Sequence, residues 1–281
     1  MNIVIASGKG GTGKTTLSVA LSEAIDEPLT LLDCDVEEPN CHLFFDDATT
    51  TSRPVTQLVP TVNTELCDGC GKCSELCQFN AIISFAGADA MVFPDLCHSC
   101  GGCIEVCPTG AITEIPFEIG AIEKSSLSPQ KNLITGRLAV GHAMAPPIIK
   151  EVFKEARSSQ ALLIADAPPG SSCPFVTAAK EADFVIFITE PTPFGLHDLT
   201  IAIATLQEIG TPFGVVVNRI TSADNRITDY CCKEGIPVLL QIAESRAIAE
   251  NYSQGFSLLK AMPSLKEKLQ ELYRRIQKEV A

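Results

Sequence analysis

Gly8-Lys9-Gly10-Gly11-Thr12-Gly13-Lys14-Thr15-Thr16 stands between a strand candidate, Asn2–Ser7, and a helical pattern carried by Leu17, Ala20 and Leu21. A Gly-x-x-x-x-Gly-Lys-Thr loop in that strand–loop–helix setting is a phosphate cradle. Its glycines let backbone N–H groups curl around phosphate oxygens, and the helix N-terminus behind them adds a positive dipole. Lys14 then reaches the terminal phosphates, and Thr15 offers its hydroxyl to Mg²⁺. The spacing predicts that residues 8 to 16 bind a nucleotide and that the fold opens with an α/β unit.

Further apolar runs of strand length lie outward from the loop, and each ends in residues that can do chemistry. Leu29–Leu32 runs into Asp33-Cys34-Asp35, Ala161–Ala165 into Asp166-Ala167-Pro168-Pro169-Gly170, and Val215–Val217 into Asn218-Arg219. Phe184–Ile188 leads to Glu190-Pro191-Thr192-Pro193, and Pro237–Ile242 to Ala243-Glu244; both loops read as framework. Strands alternating with helices predict a doubly wound, mostly parallel P-loop NTPase sheet with the nucleotide at the carboxyl ends of its strands. Carboxylates there suit phosphoryl transfer, which needs placement and charge neutralisation more than covalent chemistry. Asp33 and Asp35 also fit as simple strand ends. The chain has no Asn-Lys-x-Asp guanine box, which favours ATP over GTP.

The additional Lys9 makes the loop a deviant Walker A sequence, and with the segments above the chain resembles the MinD/ParA/Mrp/nitrogenase iron-protein family of dimerising ATPases. The resemblance covers residues 1–59 and 118–281. It implies that Lys9 crosses a two-fold interface to the partner's nucleotide. A homodimer with ATP between its protomers follows, either permanent or formed with ATP. The implied catalytic set is Lys9, Lys14 and Asp35, with Asp35 orienting the attacking water. The resemblance further assigns Mg²⁺ to Thr15 and, through water, to Asp166. It gives γ-phosphate sensing to the Gly170 amide, and adenine recognition to Asn218 with Arg219 beside it.

Between those segments the sequence repeats itself. Cys67-x-x-Cys70-x-x-Cys73-x-x-x-Cys77 returns 30 residues later as Cys97-x-x-Cys100-x-x-Cys103-x-x-x-Cys107, and Gly71/Gly101, Glu75/Glu105, Ala81/Ala111 and Ile82/Ile112 return with it. This is the ligand spacing of cubane iron–sulfur clusters, whereas zinc sites usually separate their ligand pairs by a longer spacer. The stretch resembles two-cluster bacterial ferredoxins. That resemblance implies one [4Fe-4S] cluster on Cys67, Cys70, Cys73 and Cys107 and a second on Cys97, Cys100, Cys103 and Cys77. Pro108 follows Cys107 as in ferredoxins, but Gln78 follows Cys77, so unequal potentials are expected. Gly71, Gly101 and Gly102 read as relief of crowding at the clusters, and Ala81 and Ala111 as small residues packed behind them. The expected organisation is ATPase sequence at 1–59, an inserted small α+β ferredoxin-like domain at 60–117, and ATPase sequence again at 118–281.

Composition narrows the partners. In 281 residues, 46% hydrophobic and 20% charged content suits a globular chain. A formal charge of −13 argues against a nucleic-acid surface, which needs clustered Lys and Arg. No apolar run reaches the roughly 18 residues of a membrane span, and the N-terminus lacks a secretory pattern. Thirteen cysteines at ligand spacing need reducing conditions, so a cytoplasmic setting is expected. The final helix candidate, Ser264–Val280, carries Leu265, Leu269, Leu272 and Ile276 on one face and is expected to pack against the domain.

Five cysteines lie outside the repeats. Cys34, Cys41, Cys231 and Cys232 read as buried small hydrophobes. Cys173 follows Asp166 by seven residues, a spacing that resembles the shared-cluster cysteine of nitrogenase-type iron proteins, with His142 in roughly the region of the second such ligand; a structural or substrate-docking thiol is the alternative reading. Two functions then account for the whole chain. One couples ATP binding and hydrolysis to electron transfer through the two clusters, with a redox protein as partner. The other is assembly or carriage of an iron–sulfur or other metallocofactor, resembling Mrp-type carriers. Corrin-ring amidation, as in cobyrinic acid diamide synthases, is disfavoured because no segment remains for a glutamine-hydrolysing domain.

Overall fold

The computed structural model describes residues 1–45, 49–85, 87–157, 162–221 and 224–280. It divides into two compact units, one of Met1–Ser52, Ile122–Arg137 and Ile149–Ala281, the other of Arg53–Ala121 and Leu138–Ile148. In chain order the first elements are β1 (Asn2–Ala6), α1 (Lys14–Ala24), β2 (Leu29–Asp33) and β3 (Thr50–Val62). The cysteine repeats carry α2 (Lys72–Leu76), β4 (Ile82–Ile83), β5 (Met91–Val92) and α3 (Gly102–Glu105). Then come β6 (Ile112–Ser128), β7 (Lys131–Leu138), α4 (Ala145–Ala156), β8 (Leu162–Asp166), α5 (Cys173–Ala179) and β9 (Phe184–Thr189). The chain continues through α6 (Pro193–Ile209), β10 (Phe213–Ile220), α7 (Arg226–Glu234), β11 (Val238–Ala243), α8 (Arg246–Ser253), α9 (Leu258–Ala261) and α10 (Leu265–Val280). Ala161, expected to open the eighth strand, lies outside the described residues.

Nine strands among the described residues form one sheet in the order β11-β10-β9-β1-β8-β2-β7-β6-β3. From β11 to β7 every described pairing is parallel. β6 and β7 are joined by two residues, Pro129 and Gln130, a length that permits only an antiparallel hairpin. Every residue of β2, β8 and β9 is buried, which is why these strands read as unbroken apolar runs. Ile3 and Ile5 of β1, with Phe184, Ile186 and Ile188 of β9, pack on one face with Leu17 and Leu21 of α1 and Leu269, Leu272 and Ile276 of α10. Val4, Ala6, Val185 and Phe187 alternate to the opposite face and are equally buried, so helices cover both sides. α10 is tied down further by Tyr273, whose hydroxyl meets Glu27 at 2.9 Å.

In the second unit the sequence repeat becomes a backbone repeat. Gly69 and Ser99, Gly71 and Gly101, and Asn80 and Gly110 all adopt positive φ, between 52° and 77°, each pair 30 residues apart. Gly71 and Gly101 precede α2 and α3 with φ of 77° and 72°, and nothing stands within 4 Å of a Cβ built on either. Both therefore hold left-handed conformations that favour glycine. Gly102 is the crowded one, its Cβ position 2.9 Å from Leu76 Cδ2. The unit takes in Arg53–Ala121 and Leu138–Ile148, so its limits fall within β3, β6, β7 and α4.

Candidate nucleotide site and cysteine centres

β1 ends in the glycine loop and α1 starts at Lys14, so the phosphate cradle is a strand-to-helix turn. Gly13 has φ 99°, and a Cβ there would stand 2.6 Å from Asn218 Nδ2; both facts require glycine. Asn218, at the end of β10, donates from Nδ2 to the Thr12 carbonyl at 2.8 Å and accepts from the Arg219 N–H at 2.9 Å. Gly10, Gly11, Gly13, Lys14, Thr15 and Thr16 line a cavity of about 1000 Å³, together with Asp35, Pro168, Pro169, Asn218 and Arg219. Ile248 and Tyr252 of α8 and Leu258 of α9 also line it, residues that no motif had marked.

Two buried carboxylates are placed by strand register. β2 and β8 pair so that Asp33 lies opposite Asp166. Asp166 accepts the Thr15 hydroxyl at 2.5 Å and the Ser18 hydroxyl at 3.1 Å, and the Cys41 thiol lies 3.8 Å from it. Asp33 accepts N–H groups of Asp35, Asn40 and Cys41 at 3.3, 2.9 and 2.9 Å. Burial, and then the neighbouring Asp166 charge, push the Asp33 carboxyl up to about 7. Burial likewise raises Asp166, opposed by Lys14 and by the Thr15 and Ser18 hydroxyls. Asp35 is pushed to about 6 by burial, with Lys14 opposing. Oxygen donors at Thr15 and Asp166 suit a hard divalent cation such as Mg²⁺.

Lys9 is partly exposed and paired within its own chain. Its Nζ stands 3.4 Å from Glu190 Oε2, while Glu190 Oε1 accepts from Arg219 Nη1 at 3.0 Å. Glu190 lies in a loop that reads as framework in the sequence; only the adjacency of β1, β9 and β10 brings it between those cations. The Gly170 N–H donates to the Ser7 carbonyl at 2.9 Å.

In the second unit Cys67, Cys70, Cys73 and Cys107 line one small cavity of about 20 Å³. Cys97 packs with Val59, Ala81, Phe117 and Cys77. N–H groups of Ser99 and Ala111 point at Cys97 Sγ and Cys107 Sγ, at 3.4 and 3.3 Å. Burial raises the Cys77 thiol, but the N–H groups of Phe79, Ala81, Ile82 and Asn80 outweigh it and leave the pKa below the ordinary thiol value. The Cys107 balance has the same sign, with the Thr109 hydroxyl as the leading opposing partner. Cys103 is pushed up to about 11 by burial. Phe79 and His98 stack with ring centroids 3.4 Å apart.

His142 belongs to this second unit, where its Nε2 meets Asp95 Oδ1 at 3.3 Å and its ring tilts against Phe117. Cys173 belongs to the first unit, exposed at the start of α5. Cys34, Cys41 and Cys231 are buried, but Cys232 is exposed, since adjacent positions on α7 point in different directions.

A phosphate loop between a parallel strand and a helix, backed by a buried carboxylate on the loop's threonine, defines a P-loop nucleotide-binding protein. Residues 3–258 match the CobQ/CobB/MinD/ParA nucleotide binding domain, and the chain belongs to that family. An uncharacterized protein of Methanocaldococcus jannaschii is 35% identical over 225 residues, covering 78% of each chain. A second uncharacterized protein of that organism is 32% identical over 269 residues, covering 92% of each. The fold is similar to that of the septum site-determining protein MinD complexed with Mg-ADP from Pyrococcus horikoshii. That chain is 22% identical, with coverage of 99% of this chain and 98% of the other and a TM-score of 0.58. No helix among the described residues is long and apolar enough to cross a membrane.

Proposed function

We infer that the chain is an ATP-binding and hydrolysing homodimer that couples its nucleotide state to electron transfer through two [4Fe-4S] clusters. The observation that carries this is the cavity shared by Cys67, Cys70 and Cys73 of the first repeat and Cys107 of the second. A crossed cysteine set in a chain that also holds a P-loop supports a redox centre under nucleotide control. In this reading the thiolates of Cys67, Cys70, Cys73 and Cys107 hold one cluster, and those of Cys97, Cys100, Cys103 and Cys77 the other. Each bound cluster supplies a centre for electron transfer.

In the ATPase half, Lys14 neutralises the terminal phosphates, Thr15 and Asp166 hold Mg²⁺, and Asp35 orients water for attack. Asn218 holds the base with Arg219 beside it, Gly170 follows the γ-phosphate, and Lys9 acts on the partner protomer's nucleotide. The protein partner is a redox protein. A second reading, assembly or carriage of a metallocofactor, is favoured by one observation: Cys173 is exposed at the start of α5, seven residues beyond Asp166.

The test is analysis of protein purified without oxygen. We expect about eight iron atoms per chain, falling to about four in Cys107→Ser, as two cubane clusters require. Active ATPase that never holds iron or acid-labile sulfide overturns the redox reading. Delivery of iron and sulfide to an apo-acceptor, lost in Cys173→Ser, supports the carrier reading in its place.

A further inference from the structure

The strand order sets β9 between β1 and β10. Their carboxyl ends therefore deliver three side chains in a row: Lys9 from the loop after β1, Glu190 directly after β9, and Arg219 within the end of β10. The Glu190 side chain is 9% exposed, against 38% for Lys9 and 53% for Arg219. The carboxylate is thus the fixed member and the two cations are the ones that can leave. Losing both would strand a buried charge, which is strongly unfavourable. Arg219, at 3.0 Å, is held more closely than Lys9, at 3.4 Å.

The backbone at Glu190 is braced. Its carbonyl accepts the Thr192 N–H at 2.8 Å. The Thr192 hydroxyl caps α6 by accepting the Gly195 N–H at 3.0 Å, and the Thr189 hydroxyl donates to the Gly195 carbonyl at 3.0 Å. A Cβ at Gly195 would stand 2.3 Å from the Glu190 carbonyl oxygen, so the turn is closed tightly.

We propose that Glu190 is a positioning residue: it holds Lys9 within its own protomer, with Arg219 as the competing cation. It thereby sets the protein concentration at which MgATP pairs the chains. This rests on the reading that Lys9 crosses to the partner's nucleotide. The partner's site must draw Lys9 away from Glu190, while Arg219 stays to neutralise the carboxylate. Weakening Glu190 frees Lys9; removing Arg219 leaves Lys9 as the sole member of this pair of cations on the carboxylate.

Sedimentation velocity of the full chain, at MgATP saturating for each variant, tests this. Glu190→Gln is expected to lower the midpoint concentration for pairing by about 5-fold or more, within the usual range of coupling between sites. Arg219→Gln is expected to raise it, an opposite shift that a merely structural role would not produce. Adding Lys9→Ala to Glu190→Gln should erase the gain. Unchanged midpoints in both single variants overturn the proposal. If Glu190→Gln does not fold, Arg219→Gln carries the test alone, and an unchanged or lowered midpoint there overturns it. Pairing of Lys9→Ala at the wild-type midpoint overturns instead the reading that Lys9 crosses.

Discussion

Asp33 and Asp166 end adjacent strands in register, and both are fully buried. Two carboxylates so placed disfavour sharing two negative charges, and burial disfavours even one. Asp33 titrates at about 7 in the folded chain but near 3.9 unfolded. The stability tied to its protonated form is complete below the unfolded value and is lost as pH rises through about 7. We therefore expect the urea midpoint to fall between about pH 4 and pH 7, and Asp33→Asn to flatten that decline. A wild-type midpoint that rises across this window contradicts the assignment. The loop of Lys14 and Thr15, and the grouping of Cys67, Cys70 and Cys73 with Cys107, were legible because each residue lies in a contiguous motif of regular spacing. Glu190, Cys41 and Tyr252 were not, because their neighbours come from other strands and helices.

At the scale of elements, the glycine loop and α6 approach so closely that a Cβ on Gly8 would stand 2.2 Å from Asp198 Cβ. Neither backbone can yield cheaply, since α6 is capped by Thr192 and Gly8 is anchored to β1. Gly8→Ala should cost about 1–3 kcal/mol, as other overpacked contacts do, read as a lowered urea midpoint. Thr192→Ala, which removes the cap, should cost about 1 kcal/mol. The core strands β8, β9 and β10 were readable as apolar runs because they are buried on both faces. β3, β6 and β7 were not foreseen. Their exposed positions carry Arg53, Glu114, Glu118 and Arg137, and their inward residues are too few to form a run. α2 and α3, of five and four residues, are too short to show a helical period.

At the scale of the whole molecule, the proposed function couples two chemistries carried on one chain. One nucleotide-binding unit and one cysteine-rich unit are compatible with independent action, so composition alone does not argue for coupling. β3 and β6 each contribute residues to both compact units. Coupling of about 1–3 kcal/mol would change affinity for a redox partner by about 5- to 150-fold. The most direct measurement is an anaerobic redox titration of the iron-loaded protein, followed by its paramagnetic spectrum, with and without MgATP. A shift in at least one midpoint potential is expected on adding MgATP, absent in Lys14→Ala. Fully loaded clusters whose potentials and spectra ignore nucleotide, in protein that hydrolyses ATP, would contradict the coupling.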